Sequence, residues 1–446
     1  MSRRFNFGIA IGTILLMGIF AFSMTAFATE QSQNKGKPSF GSILTNLEKP
    51  PDGWTFKYVR TIEGYPDLVE CAWETSRPPH GPLDKITLYR VKNVRLKQDK
   101  EKVLFIIPGT WSGGRILLLQ QDQLFFANHG YDVYAMDFRI SNLPNMSYGQ
   151  FSHYGVDISP TKKWTYGLFR EDIKACVDAT KKISKADRVF IAGRSRGVTQ
   201  MFIFASKYWQ EDLKGIISQD GGIKAAPIPG VTKILAQMKP AEIITDTAAY
   251  EQAVSNFEAT GTYLSDIGLT TPASYGDIQL GAVYPYAASP DPKFDTISDY
   301  LADRYYWGWG QGRLANYYGG LIDLDVLVKR VANYERYWPA IQDMEGAQLR
   351  NYDDCPFLDY DDHLKEIDIP ALSFTGAMCT QPCTHERSQF YSSLMIKNPD
   401  VTLVYLDGWG HLDIFVGKYA DKNVNEVQLE WMNARAEKHH HHHHLR

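Results

Sequence analysis

The stretch Val189-Phe-Ile-Ala-Gly-Arg-Ser-Arg-Gly-Val198 constrains this chain more than any other. A short apolar, β-type run (residues 189–192) enters Gly193-Arg194-Ser195-Arg196-Gly197, and a helix-compatible segment (198–208) follows directly. Strand, G-x-S-x-G, helix is the context in which this motif carries chemistry. The turn is so tight that the residues two before and two after the serine must be small, which the two glycines satisfy. The serine is then held in a sparsely populated backbone conformation, its Oγ exposed at the start of a helix whose N–H groups favour negative charge. Without its flanks Ser195 would read as an ordinary helix N-cap. With them it reads as a nucleophile.

The surrounding pattern supplies a sheet for that turn. Residues 54–95 hold short β-type runs (57–62 and 86–91) between turn residues, as a leading antiparallel edge would. Residues 103–107 are continuously apolar, the mark of a strand buried on both faces, and run into Pro108-Gly109-Thr110-Trp111. A helix-like stretch (116–129), a strand (131–136), a helix pattern (171–182), the serine strand with its helix, and a run from Leu213 to Asp220 come next. This alternation predicts an α/β fold with a mostly parallel, doubly wound sheet. It stops for residues 223–364 and resumes with strands at 370–376 and 401–406, then Gly408-Trp409-Gly410-His411 and a helix over 424–435. No internal repeat is seen.

The ends are set aside. Arg3 and Arg4 precede an apolar run over 7–22, and Ala26-Phe27-Ala28 has the small-x-small cleavage pattern, so residues 1–28 read as a bacterial-type secretory signal. The run is short and no second one follows, which argues against a membrane span. A periplasmic or secreted protein is expected. Residues 29–52 form a polar arm, 53–222 the first part of the core, 223–365 an inserted cap, 366–438 the second part, and 439–446 an expression tag. The cap is expected to be mainly helical. It is rich in rings, among them Tyr305, Tyr306, Trp307, Trp309, Tyr337 and Trp338, which suits a lid over an apolar substrate or simply the cap's own core.

Five cysteines in an exported chain suggest at least one disulfide and one thiol left over. Cys379 and Cys383 are close enough to pair locally, Cys71 and Cys355 are candidates for a second bridge, and Cys176 falls on the apolar side of a helix. The Cys379–His385 segment departs from C-x-x-C-H spacing and no Cys/His cluster completes a metal shell, so no metal or organic cofactor is expected. A net charge of -4 gives no reason to expect nucleic acid.

With Gly193-Arg-Ser195-Arg-Gly197, Pro108-Gly109-Thr110-Trp111 and Gly410-His411 after the final strand, the chain resembles the α/β-hydrolase superfamily over 103–222 and 370–435. The resemblance implies Ser195 as nucleophile and His411 as its base. It implies an oxyanion hole from the backbone N–H groups of Arg196 and Thr110, with Trp111 at the pocket wall. Trp409 and Arg194 are further pocket candidates. The acid usual after the penultimate strand is missing, since Gly376-Ala-Met-Cys379 stands there. Asp220, after the strand that follows the nucleophile, is the preferred acid, and Glu386 the runner-up. Arg194 and Arg196 flank the serine, either to hold a substrate carboxylate or to pair with an acid such as Asp137.

The expectation is therefore an exported serine hydrolase cleaving a small-molecule carboxylic ester, bulky or apolar, through an acyl-enzyme. A C–C bond hydrolase or lyase on the same fold, or a non-catalytic binding protein, are the alternatives.

Overall fold

The strand that delivers Ser195 lies in the middle of a nine-stranded sheet. A computed structural model of the chain describes residues 49–110, 112–115, 121–144, 148–224, 248, 251–252, 255, 264–266, 321–323, 326, 337–351, 355, 357–360, 363–376, 390–407 and 409–436. These belong to one unit, Glu48–Arg446. The signal, the arm up to residue 48, the tag, the Cys379/Cys383 pair and the rings at 305–309 lie outside the described residues.

In chain order the strands are β1 (Thr55–Ile62), β2 (Tyr65–Ser76), β3 (Lys85–Asn93), β4 (Val103–Ile107), β5 (Asp132–Asp137), β6 (Val189–Arg194), β7 (Leu213–Gln219), β8 (Leu264–Asp266), β9 (Tyr337–Pro339), β10 (Ala371–Gly376) and β11 (Val401–Leu406). The helices are α1 (Gln121–Asn128), α2 (Tyr148–His153), α3 (Tyr166–Ser184), α4 (Arg196–Asp212), α5 (Ala340–Asn351), α6 (Asp413–Val416) and α7 (Glu426–Ala436). The main sheet runs β1-β2-β3-β5-β4-β6-β7-β10-β11. Its first three strands and their junction with β5 are antiparallel, and every later pairing is parallel.

Why these strands sit at the centre is plain from their residues. Every position of β4, β6, β7 and β10 is buried, as strands covered on both faces must be. Side chains alternate between faces. Leu104, Ile106, Phe190, Ala192, Ile217, Leu372 and Phe374 join one apolar cluster with α1, α6 and α7. On the other face α3 and α4 pack on each other and on the central strands. The stacked rings of Phe138 and Phe169, 4.6 Å apart, form part of the packing there.

Residues 220–370 separate two strands, β7 and β10, that are hydrogen-bonded neighbours, so an insertion precedes the penultimate strand. Its described residues include the small antiparallel pair β8–β9 and helix α5. Tyr337 and Trp338, expected among the lid rings, are each 1% exposed. Trp338 stands edge-on to Phe138 and Phe169, both at 6.0 Å, so it is part of the body's core. Helix α5 is bolted beside it. Tyr166 N–H, at the start of α3, donates to Glu345 Oε2 at 2.7 Å, satisfying a helix-terminal donor. Gln342 donates to the Trp164 carbonyl at 2.9 Å and accepts from Gln200 at 3.1 Å.

The bridge considered between Cys71 and Cys355 is absent: Cys71 is a buried free thiol in β2, and Cys176 is another in α3. Burial pushes the Cys71 thiol up to about 12.

Candidate active site

The turn after β6 is built as its glycines demand. Ser195 has φ 52° and ψ −123°, outside the common regions for a side-chain-bearing residue. A Cβ on Gly193 would lie 2.5 Å from the Gly197 carbonyl oxygen, and one on Gly197 would lie 2.5 Å from that of Ile107. Only residues without a Cβ let the strand turn into the helix here. Ser195 N–H donates to the Gln219 carbonyl at 3.0 Å, which ties the elbow to the end of β7.

Asp220 follows Gln219 and is held on three sides. Its backbone also has φ 52°. Its N–H donates to the Phe374 carbonyl at 2.9 Å, and its Oδ1 accepts from Thr375 Oγ at 2.9 Å. Its Oδ2 meets His411 Nδ1 in a short hydrogen bond. The carboxylate is buried, while the imidazole keeps 29% of its surface. A carboxylate on Nδ1 selects the tautomer that leaves Nε2 as the free acceptor. The loop carrying His411 is fixed from below, because Gly410 N–H donates to the buried Asp413 Oδ2 at 2.7 Å.

Asp220 therefore joins the two ends of the site. Its neighbour Gly221 packs so closely on the elbow that a Cβ there would lie 2.1 Å from the Ser195 carbonyl oxygen. The loop after β4 closes in from the other side, with a Gly109 Cβ position 3.0 Å from Ser195 Cβ. That brings Thr110, the next residue, to the elbow. Arg196 is the first residue of α4, where backbone N–H groups have no partner within the helix. The loop itself is latched by Asp137, whose Oδ1 accepts from Gly114 N–H at 2.7 Å and whose Oδ2 accepts from Tyr89 at 2.6 Å. Burial raises the Asp137 carboxyl above its ordinary range, against the opposing pull of those two donors.

Two pocket candidates and the partner of the flanking arginines are placed differently. Arg194 is 2% exposed and its guanidinium is held by Asp122 and by Gln219, so it does not stand open in a pocket. Trp409 is 8% exposed and belongs to the apolar cluster with Leu406, Leu412 and Ile414. Both flanking arginines pair with an acid, as one of the two readings had it, but the acids are Asp122 and Asp343 and not Asp137. Arg196 pairs with Asp343 of α5 at 2.5 Å and lies over the Trp338 ring, 5.3 Å from its centroid. Burial works against the Arg196 charge, but Tyr166 and Asp343 outweigh it and raise its pKa. Trp111 and Glu386 lie outside the described residues.

Sequence reading missed Thr375, Asp413 and Asp122. The first two brace Asp220 and the loop of His411, yet a threonine ending an apolar strand and an aspartate opening a helix look unremarkable in a sequence. Asp122 read as one more polar position of a helix. The other described histidines are peripheral: His129 bonds the Phe125 carbonyl at a helix end, and His363 pairs with Glu366 at the surface. Among the described residues there is no group of three or more potential metal ligands, and no helix long and apolar enough to cross a membrane.

A parallel sheet with a serine turn, an aspartate after the next strand and a histidine after the final strand is the α/β-hydrolase arrangement, and the chain has the fold of that superfamily's members. Among solved structures it is similar to a candidate lipase from Sulfolobus solfataricus, at 25% identity and TM-score 0.62, over 86% of this chain and 100% of that one. A carboxylesterase from Nitrososphaera gargenis is matched at 11% identity and TM-score 0.44, over 82% and 99% of the two chains. A Paleococcus ferrophilus monoacylglycerol lipase is matched at 13% identity and TM-score 0.38, over 78% and 99%. No protein-family model and no curated protein sequence matches the chain.

Proposed function

We propose that the protein is an exported serine hydrolase that cleaves a carboxylic ester through Ser195, His411 and Asp220. The observation that carries this reading is the His411–Asp220 hydrogen bond, made by an acid whose neighbouring residues clasp the strained Ser195 turn. The similarity to the Sulfolobus solfataricus candidate lipase supports it.

The chemistry follows from the positions. Ser195 Oγ attacks the ester carbonyl carbon as His411 Nε2 takes its proton. Asp220 stabilises the imidazolium without itself being protonated. The carbonyl π pair moves onto oxygen, and the oxyanion is received by the N–H groups of Thr110 and Arg196, each donor worth roughly 3–4 kcal/mol of barrier. Collapse expels the alcohol, which takes the proton from His411 and leaves an acyl-serine. Water, deprotonated by the same imidazole, then releases the acid and restores the serine.

Residues 223–365 act in this reading as a mainly helical cap that favours bulky or apolar esters, and residues 1–28 as the export signal. Fluorophosphonate labelling together with a panel of p-nitrophenyl esters of increasing acyl length tests the activity. Labelling at Ser195 with ester turnover is expected. Labelling without turnover of any ester would move the assignment to C–C cleavage, and folded protein that is not labelled would leave a binding role. Removal of residues 225–336 is expected to change the ratio of long- to short-ester turnover; an unchanged ratio would sink the cap's part in selection.

A further inference from the structure

We propose that Arg194 is a positioning residue for this site, a buried cation that locks the serine elbow, the acid strand and the helix after the histidine loop in register. The proposal rests on the serine-hydrolase reading above.

Arg194 ends β6 and lies opposite Gln219 in the β6–β7 ladder. Each is the residue immediately before a triad member, Ser195 and Asp220. Their side chains meet as well as their backbones, with Arg194 Nε donating to Gln219 Oε1 at 3.3 Å. Gln219 passes the link on, donating from Nε2 to Gln428 Oε1 of α7 at 2.9 Å. The far end of the guanidinium is ion-paired with Asp122 of α1. Its Cζ lies over the ring of Phe415 of α6, 5.7 Å from the ring centroid. Phe415 in turn stands perpendicular to the His411 imidazole, with ring centroids 5.3 Å apart. One side chain thus connects the nucleophile's strand, the acid's strand and the ring packed against the base.

Stability alone gives little reason for such a pair. Arg194, Asp122, Gln219 and Gln428 are 2%, 3%, 2% and 0% exposed, and a buried ion pair is often no better than apolar residues of the same volume. What a planar fork of N–H donors provides and an apolar side chain does not is direction, fixed on two partners and a ring face at once. Positions in a catalytic constellation matter at that level, since a displacement of about 1 Å can lower turnover about 100-fold.

The test compares wild type, R194M, R194K and F415L in steady-state p-nitrophenyl ester hydrolysis, with thermal melts to show that each variant is folded. R194M is expected to lower kcat about 10- to 100-fold with KM within about twofold. R194K, which keeps the charge but reaches only one partner, should recover part of the loss. F415L, which leaves the ion pair and removes the ring between Arg194 and His411, should lower kcat in the same direction by less. Wild-type kcat in folded R194M would overturn the proposal, as would a raised KM at unchanged kcat or an R194K no better than R194M. If R194M does not fold, F415L decides, and wild-type turnover there overturns it. Wild-type protein that neither takes a fluorophosphonate nor hydrolyses any ester removes the hydrolase reading and this role with it. An active wild type beside an unaffected R194M removes this role alone.

Discussion

Ser195 and Asp220 both carry a positive φ of 52°, uncommon for residues with a side chain, and the contacts around them hold it there. Replacing Ser195 by Ala is expected to lower kcat by roughly 10⁴- to 10⁶-fold and to abolish fluorophosphonate labelling with the melt unchanged. D220N should lower kcat roughly 10⁴-fold while leaving labelling slow but present, because the imidazole would then be held in the wrong tautomer. G221A belongs to the same scale: its methyl would meet the Ser195 carbonyl oxygen at 2.1 Å, so loss of about 1–3 kcal/mol in urea titration is expected. The turn at Ser195 and the loop of His411 were legible as structure because each sits in a local pattern, glycines around one and a glycine-rich loop after a strand for the other. The acid was not legible to the same degree. Its choice depends on which strand end lies beside the histidine loop, and that adjacency of β7, β10 and β11 is a property of the sheet, not of any short run of residues.

Among the elements, the loop after β4 packs against the Ser195 turn, and Asp137 is its latch. The sign of its pH effect follows from its raised pKa. The folded protein binds this proton more tightly than the unfolded chain, so the contribution of Asp137 to stability is fullest below the ordinary carboxylate range and falls as pH rises through its raised value. D137N removes that dependence. Thermal melts between pH 4 and 8 should show the Tm of D137N gaining on wild type as pH rises; parallel curves would refute it. Strands β4 and β11 were readable from their apolar runs, with observed bounds at 103–107 and 401–406. Strand β2 was not, because Asp67, Glu70 and Glu74 interrupt its pattern. Glu70 is nonetheless wholly buried, with Arg60 of β1 as its partner. Helix α3 begins at Tyr166, ahead of its apolar stripe, because Thr165 caps it by accepting from Leu168 N–H at 3.1 Å and Glu345 receives its first N–H.

Across the molecule, the sheet's polarity sets where stability resides. The fully buried strands β4, β6, β7 and β10 should be the slowest to exchange their amide protons, and β1 and β11, each paired on one side, the fastest of the sheet. Trp338 links the inserted segment to the body through Phe138 and Phe169; W338A should cost about 3–5 kcal/mol, read from denaturant midpoints. The insertion's role was hard to see in the sequence for a related reason: an aromatic residue reads alike in a lid or in a core, and only its neighbours distinguish them. Two of the sequestered thiols, Cys71 and Cys176, turn this architecture into its own clock. Cys71 lies between β1 and β3 in the antiparallel wing, and Cys176 beneath the parallel half. Mass mapping of which sulfur an alkylating reagent reaches first, as urea is raised, would tell whether the wing detaches ahead of the half that carries the chemistry or whether both dissolve in one event.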